Sequence, residues 1–207
     1  MNHRNRIVAA VVFLLPAVAL AQVAASAQET RRTRIVASAQ KGAPFQEGRQ
    51  AYQVIVGLRA AVRGPGTAEA RLSALGVPTA DLVEEKGPFV VYARAVRVPT
   101  AEGGLAAASA VNSVDSSPTY PVVVNVRTGE LGVLPGVIIV KLARPADAEP
   151  LATANGLAVD FVAENIGYAF LKVPDGRDVV AAAAAVARDP RVTTAYPEVR
   201  EHFAVPR

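Results

Sequence analysis

Cysteine and tryptophan are both absent from the 207-residue chain. Without Cys there is no disulfide, no thiol nucleophile, no cysteine-based zinc site and no lipid-modified cysteine anchor, so the fold must rest on packing alone. Aromatic residues are few, with five Tyr and six Phe. That argues against an aromatic-lined ligand pocket and against a platform for stacked bases. Histidine occurs only as His3 and His202. A Ser–His–Asp triad needs a buried, oriented imidazole, and a metal site needs clustered His, Cys or carboxylates. Neither histidine has such neighbours in the sequence. Gly64-Pro65-Gly66 and Gly103-Gly104 lack the glycine spacing and the lysine of a phosphate-binding loop. These absences point to a protein that is not an enzyme and has no cofactor and no metal.

Charge is also modest. The formal net charge is +4, and the one conspicuous basic cluster, Arg31-Arg32-Thr33-Arg34, precedes the periodic part of the chain. No nucleic-acid partner is expected.

Hydrophobic residues make up 51% of the sequence, enough for a packed core. Residues 1–27 read as a signal peptide. Arg4 and Arg6 form a basic n-region, Ile7 to Ala21 an apolar stretch, and Ala19-Leu20-Ala21 and Ala25-Ser26-Ala27 two small-x-small cleavage sites. The apolar stretch is shorter than the roughly 20 residues of a spanning helix. The expectation is a secreted or periplasmic protein with no membrane association after cleavage. Residues 28–50 are polar and aperiodic and read as a flexible leader.

Comparing the chain with itself reveals a repeat. Val98–Val111 aligns with Val173–Val186, sharing the Val-Pro pair, four alanines and the final Val. Gln53-Val-Ile-Val-Gly-Leu58 matches Val137-Ile-Ile-Val-Lys-Leu142, and Asp81-Leu-Val-Glu-Glu85 matches Asp160-Phe-Val-Ala-Glu164. Tyr120-Pro121 and Tyr196-Pro197 follow in the same order. In the second half, β-branched runs predict strands over Val137–Leu142, Ala158–Glu164, Tyr168–Val173 and Val192–Tyr196. Helices are expected over Asp147–Asn155 and from Asp175 to Ala187, with Asp175 as the N-cap. The first half gives strands near Tyr52–Arg59, Ala80–Glu85, Phe89–Val98 and Thr119–Val126, and helices near Thr67–Leu75 and Glu102–Val114. The expected fold class is α+β: two tandem ferredoxin-like (βαββαβ) units, each an antiparallel four-stranded sheet with two helices on one face. The units span 51–127 and 136–203, with a linker at 128–135 and a tail at 204–207. Apolar residues on both faces of some strands suggest that the open sheet face is covered by the sister unit or by a partner.

The run Gly136-Val-Ile-Ile-Val-Lys-Leu142, Ala169-Phe-Leu-Lys-Val-Pro-Asp-Gly176, Ala187-Arg-Asp-Pro-Arg-Val192 and Ala195-Tyr-Pro-Glu198 resembles the propeptides of subtilisin-type serine proteases and their free-standing inhibitor relatives. The resemblance covers about residues 133–203, and 51–127 more weakly. It implies a subtilisin-type protease as partner, with the sheet face packed on protease helices and the C-terminal tail in the substrate cleft. The protease-binding residues it implies are Tyr196, Glu198, Glu201, His202, Phe203, Ala204, Val205, Pro206 and Arg207. Glu198 would cap a protease helix, while Tyr196 stands where an acid is frequent in that family. Within the 207 residues the Asp, His and Ser motifs of a catalytic domain are not expected. The resemblance thus implies a protease inhibitor or a folding chaperone acting in trans. A non-catalytic structural or adhesive module is the third reading.

Overall fold

The computed structural model describes residues 29–94 and 118–203. The signal read over 1–27, the helix expected near Glu102–Val114 and the tail Ala204–Arg207 lie outside the described residues. The chain divides into two units, Met1–Ser38 and Ala39–Arg207. In the first, residues 29–38 are helical. Among the described residues no helix is long and apolar enough to cross a membrane.

The second unit is built on two antiparallel sheets. The first has six strands: β1 (Lys41–Glu47), β2 (Gln50–Val62), β3 (Leu82–Lys86), β4 (Phe89–Ala93), β5 (Thr119–Asn125) and β6 (Leu131–Val133). Its order is β3-β4-β2-β5-β6, with β1 also paired to β2. The thirteen residues of β2 serve two neighbours in succession, β1 opposite Gln50–Ile55 and β4 opposite Leu58–Val62. The changeover falls at Gly57, whose φ of +90° only glycine adopts without strain, and there the register against β5 also shifts. Lys86 at the end of β3 lies 3.5 Å from Glu130 beside β6. The sheet therefore curls far enough to bring its two edges within side-chain reach.

Helix α1 (Ala68–Ala74) starts at Thr67, whose hydroxyl accepts from the Ala70 amide. It buries Ala68 and Leu72 against Ala61, Val90 and Tyr92. Buried Asn125 bonds at both ends of its side chain: its NH2 group donates to Gln50 Oε1 (2.9 Å) and its carbonyl accepts from the Arg127 and Thr128 amides. This fixes the turn into β6.

The second sheet comprises β7 (Val137–Leu142), β8 (Ala158–Ala163), β9 (Tyr168–Lys172) and β10 (Val192–Pro197), in the order β10-β7-β9-β8. Helix α2 (Ala148–Ala154) lies between β7 and β8, and α3 (Val179–Val186) between β9 and β10. Leu151, Ala152, Val179, Ala182, Ala183 and Val186 pack onto Ile138, Val140, Leu142, Ala169 and Leu171. That buried cluster continues without a break to Leu134, Val123 and Tyr52 in the first sheet.

The expectation of two equal ferredoxin-like units, each a four-stranded sheet with two helices on one face, is overturned. The protein is mostly antiparallel sheet, one of six strands and one of four. The extra strands explain the difference. β1 arises within the stretch read as an aperiodic leader, and β6 within the stretch read as a linker. Among the described residues α1 is the only α-helix on the six-stranded sheet.

The chain then crosses back. Beyond β10, Val133 and Arg200 exchange backbone hydrogen bonds of 3.1 and 2.9 Å, and Phe203 packs its ring against Phe89 with centroids 5.6 Å apart.

Candidate binding surface

Strand alternation gives the second sheet two unlike faces. Ile138, Val140, Leu142, Ala169 and Leu171 point to α2 and α3 and are buried. Their neighbours Ile139, Lys141, Tyr168, Phe170 and Lys172 point the other way and are half-buried or exposed. Pairing places Tyr196 opposite Ile139, Ile139 opposite Phe170, and Phe170 opposite Phe161. One apolar stripe, Tyr196–Ile139–Phe170–Phe161, thus crosses all four strands. Phe161 and Phe170 touch, with centroids 5.9 Å apart, yet Phe161 remains 59% exposed. A parallel row, Thr194–Lys141–Tyr168–Ala163, flanks it, and Lys141 Nζ sits 5.6 Å over the Tyr168 ring.

A bulge places Phe161 on this face. The register of β8 against β9 shifts between Val159 and Phe161. The extra residue, Asp160, lets Val159 and Val162 both face the helices while Phe161 turns outward. An unbroken alternation would put Val159 and Phe161 on one face.

The Tyr196 end of the stripe opens into a cleft of about 790 Å³. The β1–β2 turn supplies Glu47, Gly48, Arg49 and Gln50, and the chain after β10 supplies Glu198, Arg200 and Glu201. Arg200 Nε donates to Glu198 Oε1 at 2.9 Å. The Glu201 side chain is only 10% exposed, and its Oε1 is buried without a hydrogen-bond partner. The clustering shows in the titrating groups. Burial, then the charges of Glu201 and Glu198, raise the Glu47 carboxyl above 4.5. Burial, with the Glu201 and Glu47 charges, pushes the Tyr52 phenol up to about 12. Tyr196 is raised chiefly by burial. Among the described residues no three His, Asp or Glu side chains are grouped to hold a metal ion.

The residues implied by the resemblance meet different fates. Tyr196 and Glu198 do stand together at the cleft. Glu201 and Phe203 do not form a free segment. Glu201 tucks against the first sheet beside Gly132, and Phe203 lies over Gly87 and Phe89. His202 is 89% exposed, and Ala204, Val205, Pro206 and Arg207 lie outside the described residues. Ile139, Tyr168, Phe170 and Phe161 were not read from the sequence as site residues. Two of them, Tyr168 and Phe170, are signalled by the alternation of the Tyr168–Lys172 strand; Phe161 is hidden by the bulge.

No curated protein and no solved structure matches the chain. The model of one family, described as the Open reading frame 2 N-terminal domain, matches residues 82–203, from β3 to the end of the described chain. This overturns the resemblance to subtilisin-type propeptides. The Val-Pro-Asp-Gly and Asp-Pro-Arg-Val segments that suggested it are a strand-to-helix turn and a helix-to-strand turn, which any β–α–β alternation needs. The chain belongs to the Open reading frame 2 N-terminal domain family.

Proposed function

We propose that this protein is a non-catalytic binding module, exported by its N-terminal signal, that recognises a partner protein through the uncovered face of the β7–β10 sheet. The observation that carries this reading is the stripe Tyr196–Ile139–Phe170–Phe161 running in register across four strands. Aromatic and aliphatic side chains on a rigid sheet form the kind of desolvated centre where binding energy concentrates, and exposed Thr194, Lys141 and Lys172 form a polar border. The cleft at one end of the stripe favours protein over nucleic acid, because Glu47, Glu198 and Glu201 repel phosphates. The inhibitor and chaperone functions drawn from the propeptide resemblance lose their support with it; the broader reading of a binding module does not depend on it.

A photo-crosslinking amino acid at position 161 tests the surface in the cell that makes the protein. It should trap one discrete partner, and the same group at exposed Val126 should not. With that partner purified, Phe161→Ala and Phe170→Ala should each weaken binding at least about tenfold, the range of a hot-spot truncation. Equal binding by wild type and both variants would refute the reading. A crosslinked homodimer would replace the partner with a second copy of this chain.

A further inference from the structure

We infer that the cleft at the Tyr196 end of the stripe is a subsite for a cationic side chain, a guanidinium above all, carried by the partner protein. The inference rests on the binding-module reading and adds the chemistry of one contact. Three carboxylates, Glu47, Glu198 and Glu201, converge on one cleft. Glu198 is held by Arg200 at 2.9 Å, and one oxygen of Glu201, Oε2, lies 4.0 Å from the exposed His202 ring. Glu201 is nine-tenths buried, yet its Oε1 has no donor. A buried carboxyl oxygen without a donor is costly for a fold to keep. A fold retains such a group most readily where a ligand completes it. A planar guanidinium meets the need best, because its fork of N–H donors can satisfy two carboxylate oxygens at once.

The surroundings suit that occupant. Gln50 and Tyr52 line the cleft with neutral polar groups, and the Tyr52 hydroxyl is already bonded to Gln50 Oε1 at 2.5 Å. Burial, and after it the Glu201 and Glu198 charges, hold the Glu47 carboxyl above its usual range, so an incoming cation relieves a repulsion that is already present. Tyr196 belongs both to the stripe and to the cleft wall. One partner can therefore lay an apolar patch on the sheet and place an arginine beside it. Arg49 also lines the cleft, but no hydrogen bond joins it to the buried oxygen, so it stands as a competitor for the carboxylates and not as their partner.

The probe is N-acetyl-arginine amide, titrated into the chain and followed by amide NMR shifts. Saturable shifts at Gly48, Arg49 and Glu201 are expected, with a dissociation constant on the order of millimolar, the range of a single small contact. N-acetyl-glutamate amide should give none. Glu201→Gln should weaken binding about tenfold. Arg49→Ala should strengthen it, and this variant keeps the test decisive if the buried substitution unfolds the chain. Non-saturating shifts, or equal shifts from both probes, overturn the inference. Phe161→Ala separates the two readings, since it should leave arginine-amide binding unchanged while weakening capture of the partner at least about tenfold. Partner capture that survives Glu201→Gln intact sinks the subsite alone.

Discussion

Glu47 shows how the cleft is felt by a single residue. Its carboxyl is raised above 4.5 by burial, then by Glu201 and Glu198. The folded chain therefore holds this proton more tightly than the unfolded chain does. The sign follows from linkage: stability is greatest below the ordinary carboxylate pKa and falls as pH rises through the raised one. Glu47→Gln should raise the melting temperature at pH 7, and the gain should shrink toward zero as pH is lowered past 4.5. A melting series across that range checks it, and a gain independent of pH would mean that charge is not the cause. Asp189 behaves oppositely. Its carboxylate takes two hydrogen bonds from the Arg191 guanidinium, at 2.8 and 2.7 Å, and one from the Arg191 amide, which pull it down to about 2 from 3.8. Its contribution is complete above 3.8 and is lost as pH falls toward 2. Arg191→Leu should remove that acid-sensitive component of stability.

Elements depend on small devices at their ends. Asp178 Oδ1 accepts from the Val180 and Ala181 amides, at 2.8 and 3.1 Å, and so starts α3. Asp178→Ala should cost about 0.5–2 kcal/mol, the value of an N-cap, read by urea denaturation. The sequence reading placed this cap at Asp175, three residues early, because Gly176 with φ +80° inserts a turn before the helix. Elsewhere in this half periodicity was a good guide: β7 matches its expected bounds, and β8, β9 and β10 fall within one residue of theirs. β6 escaped because three residues are too few to show alternation. β1 escaped because Gly42 and Pro44 break any strand pattern, and proline is tolerated there because β1 pairs only with β2. The stripe was only partly legible, since the bulge at Asp160 is invisible to a period-two count. Gly132 is another such device. A Cβ there would lie 2.5 Å from Val199 Cγ1 and 3.1 Å from Val123 Cγ2. Gly132→Ala should therefore cost about 1–3 kcal/mol through overpacking and loosen the segment that carries Glu201.

Across the whole second unit, the two sheets are tied in two places. The buried cluster runs from Tyr52 and Val123 through Leu134 to Ile138 and Val186. The chain after β10 returns to pair Arg200 with Val133. The first sheet's α1 cluster remains separate beneath its own helix. If the shared cluster dominates, the sheets unfold together, because neither can expose its part of the core without stripping the other. Leu134 stands at the join: it is 1% exposed, and its amide donates to the Pro121 carbonyl at 3.0 Å. Leu134→Ala should cost about 2–5 kcal/mol, as for a leucine truncated in a packed core. The loss should appear equally in both sheets. Hydrogen exchange reads each sheet on its own, through the amides of Val91 in β4 and Leu171 in β9, both fully buried. Under a shared transition their opening free energies fall by the same amount in the variant. A drop at Leu171 with Val91 unchanged would show that the second sheet opens alone. The binding stripe would then ride on an independently folding unit, with the six-stranded sheet as its support.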